Sequence, residues 1–168
     1  MRAALTGHLV FSTLHTNDAP TAITRLIDLG IEPYFVSSSL VVVVAQRLIR
    51  MLCQECREPY VPNPAHVPPS LSLKEGQVLY RKRGCASCAN TGYFGRKAIY
   101  EMMPMDERLE RLSSEKASPV EIRKAARQAG MRTLLESGLR KVLMGETTID
   151  EVLRVTVTNG PDAADTSE

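Results

Sequence analysis

The chain has 168 residues, room for one domain with a core or one domain plus a small module. Its 43% hydrophobic and 24% charged residues are ordinary for a soluble protein, and a net charge of +2 does not by itself imply nucleic acid. The longest apolar run, LVVVVA at 40–45, is far short of the ~20 residues that span a bilayer.

The opening, MRAALTGHLVF, lacks the apolar h-region and cleavage site of a signal peptide. From His8 the run HLVFSTL is β-rich and predicts a strand over 8–15, with a histidine at each end. Asp18 is a good N-cap and Pro20 suits a first helical turn. Ala22, Ile23, Leu26 and Ile27 then repeat at helical spacing up to Gly30, which predicts a helix over 19–29. Pro33 opens a second helix over 34–40. The valines that follow leave helix and strand open by periodicity alone; their β-branching favours a buried strand over 41–50.

Between Cys53 and Cys88 the pattern changes. Five prolines fall within 59–69, which excludes helix or sheet interior there. Strand character returns at 97–103, KAIYEMM, so a small module is inserted between two strands able to pair. The last third is helical. Ser118–Glu121, Thr133–Glu136 and Thr148–Glu151 each read [S/T]-x-x-E before an apolar pattern, the capping box that satisfies orphan N–H groups. Gly130 and Gly145 stand where C′ glycines end two helices. Residues 158–168 are small, polar and acidic, the composition of a disordered tail.

Cys53-x-x-Cys56 and Cys85-x-x-Cys88 lie 28 residues apart. Two such turns present four thiolates, the ligand set of a closed structural zinc site with no open position for catalysis. The long spacer is no obstacle, because loop closure costs only ~0.6 kcal/mol per doubling of length. Arg57, Arg81, Lys82 and Arg83 lie near the thiolates in sequence and offset their charge. A redox dithiol is the competing reading, but one pair suffices for that and two pairs without a secretory signal favour metal.

On an 8–15 strand, His8 and His15 would point to opposite faces, ~23 Å apart at 3.3 Å per residue. They do not grip one phosphate together. Ligands in open α/β sheets bind beyond the carboxyl ends of strands, which favours His15 for a phosphate contact. Packing against, or capping, the next helix is an equally good reading of His15 and a better one of His8.

Four ordered motifs together carry a resemblance: TGHLVFSTLHTNDAPTAITRLIDLGI, SSSLVVVVAQRLIRMLCQEC, GCASCANTGYFGRKAIYE and GMRTLLESGLRKVLMGETTIDEVLRVT. This set resembles the secretion ATPase superfamily, the motors of type II secretion and type IV pilus assembly, in the branch with a tetracysteine zinc module. The resemblance implies an α/β fold, the C-terminal part of a RecA-like P-loop ATPase domain with an inserted small zinc module and a helical C-terminal region. It places His15 and His8 near the ATP phosphates, makes Cys53, Cys56, Cys85 and Cys88 the zinc ligands, and sets AQRLIR beside GRKAIYE on neighbouring strands. It implies a homo-hexamer with nucleotide at subunit interfaces. Its partners are an inner-membrane secretion or pilus assembly platform, and its location is cytoplasmic, peripheral to that membrane.

The expected division is 1–50 partial ATPase core, 51–95 zinc module, 96–157 returning strand and helices, and 158–168 tail. No G-x-x-x-x-G-K-[ST] occurs; Gly92-Tyr93-Phe94-Gly95-Arg96-Lys97 has the wrong spacing and no hydroxyl after the lysine. The acidic Mg²⁺-binding segment is also missing. In the family both lie upstream, so ATP and Mg²⁺ are expected only with that part, and this chain alone is expected to be inactive. The alternative is a stand-alone zinc ribbon binding nucleic acid or a protein partner. Arg81, Lys82, Arg83, Arg96 and Lys97, with Tyr80, Tyr93 and Phe94, motivate it. It ranks below the motor reading, under which no nucleic acid is expected.

Overall fold

The computed structural model describes residues 1–156; the acidic stretch at 158–168 lies outside them. In chain order the elements are α1 (Arg2–Leu5), α2 (Ala19–Asp28), α3 (Pro33–Ser39), β1 (Val42–Leu52), β2 (Glu58–Tyr60), β3 (Leu79–Arg81) and β4 (Tyr93–Pro104). Four helices follow: α4 (Glu107–Ser114), α5 (Pro119–Gln128), α6 (Leu134–Leu143) and α7 (Ile149–Thr156). β1 pairs with β4 and β2 with β3, giving two two-stranded sheets. The Met105 N–H on Val41 O at one end and the Cys53 N–H on Gly92 O at the other make the β1–β4 ladder antiparallel. The chain divides into two compact units, Met1–Ala45 with Glu101–Arg132, and Gln46–Tyr100 with Thr133 onward.

In the first unit α2 starts as its sequence dictates. Asp18 Oδ1 accepts the Thr21 N–H at 2.8 Å, and Pro20 sits in the first turn. α2 packs on α5, and Ala19, Ala22 and Ile23 of the one and Ile122, Ala125 and Ala126 of the other are buried. α3 packs on α4, a helix the sequence reading missed although Asp106 caps it through the Leu109 N–H at 2.8 Å. β4 alternates cleanly here: Glu101 and Met103 face inward, Met102 and Pro104 outward.

Two expectations are corrected. The run at 8–15 is not a strand: residues 8–16 have no regular structure, and Leu9 and Phe11 are 80% and 87% exposed. A strand needs a neighbour for its N–H and C=O groups, and among the described residues none pairs with this run. Val42 to Val44 do form the start of β1, but Val41, Val42 and Val44 are exposed, and the buried positions of the strand are Ala45, Ile49 and Leu52. The pleat sends alternate side chains to opposite faces, so β-branching secured the conformation without securing burial.

In the second unit a core of Leu71, Leu79, Leu139, Val142 and Val152 lies under Tyr60, Val67, Leu73, Leu135 and Ile149. The proline-rich stretch thus packs Tyr60 and Val67 against the core although beyond β2 it forms only a 3₁₀ turn at Pro64–His66. Pro59 is tolerated because β2 is a three-residue edge strand, opposite Tyr80. The outer edge of β1 is closed by the loop before α7. The Leu52 N–H donates to Glu146 O, Thr147 Oγ1 donates to Arg50 O, and the Arg50 N–H donates to Glu151 Oε1.

The capping boxes of α5 and α6 are complete on both sides. The third is half made. Thr148 Oγ1 accepts the Glu151 N–H at 3.2 Å, but the Glu151 carboxylate goes to Arg50 and Arg154 instead of back to the cap. Gly130 and Gly145 have φ of +97° and +69°, the left-handed conformation expected after a helix.

Candidate metal centre and the histidine segment

β1 ends directly at Cys53 and β4 begins just past Cys88, so the ladder brings both C-x-x-C turns to one end. The four sulfurs lie within 4.8 Å of one another. Cys53 to Cys85 is 3.9 Å, Cys56 to Cys88 3.8 Å and Cys85 to Cys88 3.7 Å. A tetrahedral ion with metal–sulfur bonds of about 2.3 Å has sulfur–sulfur edges of about 3.8 Å. These separations match that edge and are far beyond the ~2.05 Å of a disulfide.

Backbone N–H groups point at the sulfurs: Gly84 at Cys56 (3.3 Å), and Cys85 and Gly92 at Cys88 (both 3.2 Å). The turn after Cys88 needs two left-handed residues, Ala89 and Asn90. It also needs Gly84, where a Cβ would sit 2.8 Å from Asn90 O. Burial pushes the Cys56 and Cys88 thiols up. At Cys88 the N–H groups of Cys85 and Gly92 outweigh it and lower the thiol to about 6. At Cys56 burial prevails over the single Gly84 N–H, and the thiol is pushed up to about 11. Cys53, Cys56 and Cys88 are buried and Cys85 is partly exposed, so the site is closed on most sides. Four convergent sulfurs with N–H donors behind them can hold a metal ion as a structural staple.

The cations near the thiolates in sequence have partners of their own, Lys82 among them at 5.5 Å from the Tyr93 ring. Arg81 and Arg83 pair with Glu58 at 3.2 and 3.5 Å. Arg57 lies over the Tyr80 ring at 4.3 Å and donates to Gly145 O. Tyr93 is buried beneath Arg50 at 4.4 Å, with its hydroxyl on Thr148, and Lys97 pairs with Glu146. Two of the three aromatics of the nucleic-acid reading are therefore occupied, which does not favour that reading.

His8 and His15 are exposed, and neither is among the residues grouped with the four sulfurs. His8 Nδ1 lies 3.1 Å from Thr6 Oγ1. His15 does not cap α2; Asp18 does, and its other oxygen pairs with Arg123 of α5. The burial of three groups escapes the sequence reading: Glu101, Glu151, which reads as a helix cap, and Tyr93, which reads as a stacking aromatic. For Glu101 a signal existed, because the alternation Ile99, Glu101, Met103 puts a carboxylate on the inward face of its strand.

A family model described as Type II/IV secretion system protein matches residues 1–154, and the chain belongs to that family. It is 45% identical over 159 residues to the type IV pilus assembly ATPase PilB of Thermus thermophilus, a match covering 92% of this chain and 18% of that protein. It is 47% identical over 161 residues to the type II secretion system protein E of Pseudomonas aeruginosa, covering 93% of this chain and 31% of that one. The chain thus spans less than a third of the length of either relative. Among solved structures, the crystal structure of the pilus retraction motor PilT with bound ADP matches with a TM-score of 0.57 at 19% identity, over 96% of this chain and 36% of that one. The fold is accordingly RecA-like, elaborated by the tetracysteine module. No helix among the described residues is long and apolar enough to cross a membrane.

Proposed function

We propose that this chain is part of a hexameric motor ATPase that powers type II secretion or type IV pilus assembly from the cytoplasmic side of the inner membrane. The observation that carries the reading is the 45–47% identity, over more than nine-tenths of the chain, to a pilus assembly ATPase and a type II secretion protein. In this reading residues 1–50 and 96–157 belong to the motor core and its helices, and 51–95 form the inserted module. His15, and more remotely His8, stand beside the nucleotide phosphates. A neutral imidazole there donates one hydrogen bond and accepts another, which suits orienting a γ-phosphate or an attacking water.

The sequence contains no phosphate-cradling G-x-x-x-x-G-K-[ST] loop. ATP and Mg²⁺ are then bound only together with a segment that supplies it. Zinc held by Cys53, Cys56, Cys85 and Cys88 closes the end of the β1–β4 ladder and has no open position for chemistry. The test is phosphate release from Mg-ATP by the purified chain and by the chain joined to the upstream part of the Pseudomonas relative. Turnover is expected only from the fusion, with a loss of at least tenfold on His15→Ala. Turnover by the pure chain, or a fusion indifferent to His15, overturns the reading.

A further inference from the structure

We propose that Glu101 is a positioning residue for the segment that carries His15, an inference that rests on the phosphate reading of that histidine. Glu101 is 3% exposed and sits between Ile99 and Met103, both fully buried. A carboxylate held there has to find donors within the protein. Its Oε1 accepts the Ala19 N–H at 2.8 Å, across 82 residues of sequence. Ala19 is the first residue of α2, where the N–H has no partner within the helix and the helix end favours an anion. One residue earlier, Asp18 accepts the Thr21 N–H and pairs with Arg123, whose side chain is only 20% exposed.

Residues 18 and 19 are thereby tied to α5 and to β4, three and four positions beyond His15. The stretch before them has no sheet pairing among the described residues. The pinned end is therefore one of the holds that set where the His15 imidazole can reach. Glu101 touches no reacting atom in this arrangement; it acts through the backbone that delivers His15. What it supplies to Ala19 is an acceptor, which Gln retains and Ala loses.

Two measurements test this. In the fusion described above, kcat and KM for ATP are compared for Glu101→Ala, Glu101→Gln, His15→Ala and the double variant E101A/H15A. Glu101→Ala is expected to lower kcat at least tenfold with KM changed less than about threefold, since misplacing a group by about 1 Å costs on the order of a hundredfold. Glu101→Gln keeps most of the rate, and Glu101→Ala adds no further loss once His15 is gone. In the chain alone, amide exchange at Ala19 and the His15 ring resonances are followed in the same Glu101 variants. Faster exchange and a shifted, averaged His15 signal are expected with Ala and not with Gln. If Glu101→Ala does not fold, Arg123→Gln loosens the same pinned turn from the α5 side and is expected to give the same split. Independent, multiplying losses from Glu101→Ala and His15→Ala overturn the proposal. A fusion indifferent to His15→Ala removes the phosphate reading instead. Positioning is then judged by the resonances alone, and it is overturned if Glu101→Ala leaves them unchanged.

Discussion

Glu151 is a residue on which several of the second unit's polar contacts converge. Its side chain is fully buried, yet it binds Arg50 and Arg154, whose side chains are 45% and 55% exposed, and accepts the Arg50 backbone N–H at 3.0 Å. Burial pushes the carboxyl up, but the two guanidiniums and the N–H overcome that and hold it at about 2, against an ordinary value of 4.5. A carboxyl lowered on folding stabilises the protein above its unfolded value and loses that stabilisation as pH falls. The second unit is therefore expected to lose up to about 3 kcal/mol between pH 4.5 and pH 2, seen as an acid shift in the urea midpoint. Glu151→Gln should flatten that dependence. It should also cost about 3–5 kcal/mol at neutral pH, because a donor cluster is left without its anion. A variant that keeps the wild-type acid profile would assign the pH dependence elsewhere.

At the scale of elements, α6 and α7 touch through a glycine. A Cβ on Gly138 would sit 2.5 Å from Val152 Cγ1, and Val152 is fully buried and stiff at χ1. Gly138→Ala gains about 1 kcal/mol of helix propensity but incurs about 1–3 kcal/mol of overpacking, so net destabilisation is expected. In a Val152→Ala background the clash is relieved and the same change should become stabilising, a sign reversal that thermal unfolding can read. The caps separate in the same way. Ser118→Ala and Thr133→Ala each remove an exposed or half-buried cap and should cost about 1 kcal/mol. Thr148→Ala should cost more, about 2–3 kcal/mol, because its buried hydroxyl also meets the Tyr93 hydroxyl at 2.8 Å and would leave it unsatisfied. Equal losses at all three sites would deny Thr148 that second role.

For the whole molecule, the sulfur cluster and the α6–α7 core are two ways of holding the same unit. Metal analysis should find one ion per chain, identified as zinc. A chelator strong enough to remove it should lower the unfolding temperature and expose Tyr93 and Arg50 to exchange, while the helices of the first unit keep their circular dichroism. Full metal-dependent unfolding, as in isolated zinc fingers, is not expected, since Leu71, Leu79, Leu139, Val142 and Val152 form an apolar core of their own. An unfolding curve unchanged by stripping would remove the staple from the account.

What the amino-acid sequence determined by itself was whatever is written within a few neighbouring residues. The Asp18, Ser118 and Thr133 caps, the glycine stops at 130 and 145, the strand conformations of β1 and β4, and the two cysteine knuckles all depend on side chains reaching their own backbone or the next turn. The knuckles also announced their convergence, because strands flanking an insertion had to bring them together. Only the tertiary structure decided where long-range polar groups go: Glu101 to Ala19 across 82 residues, and Glu151 to Arg50 across 101. In the second case it overruled a local capping box, since a buried carboxylate gains more from two guanidiniums than from one amide. It likewise decided that 8–15 is no strand and that Val42 and Val44 of β1 face outward. Strand pairing and burial are properties of the neighbour across the sheet, and no local pattern specifies that neighbour.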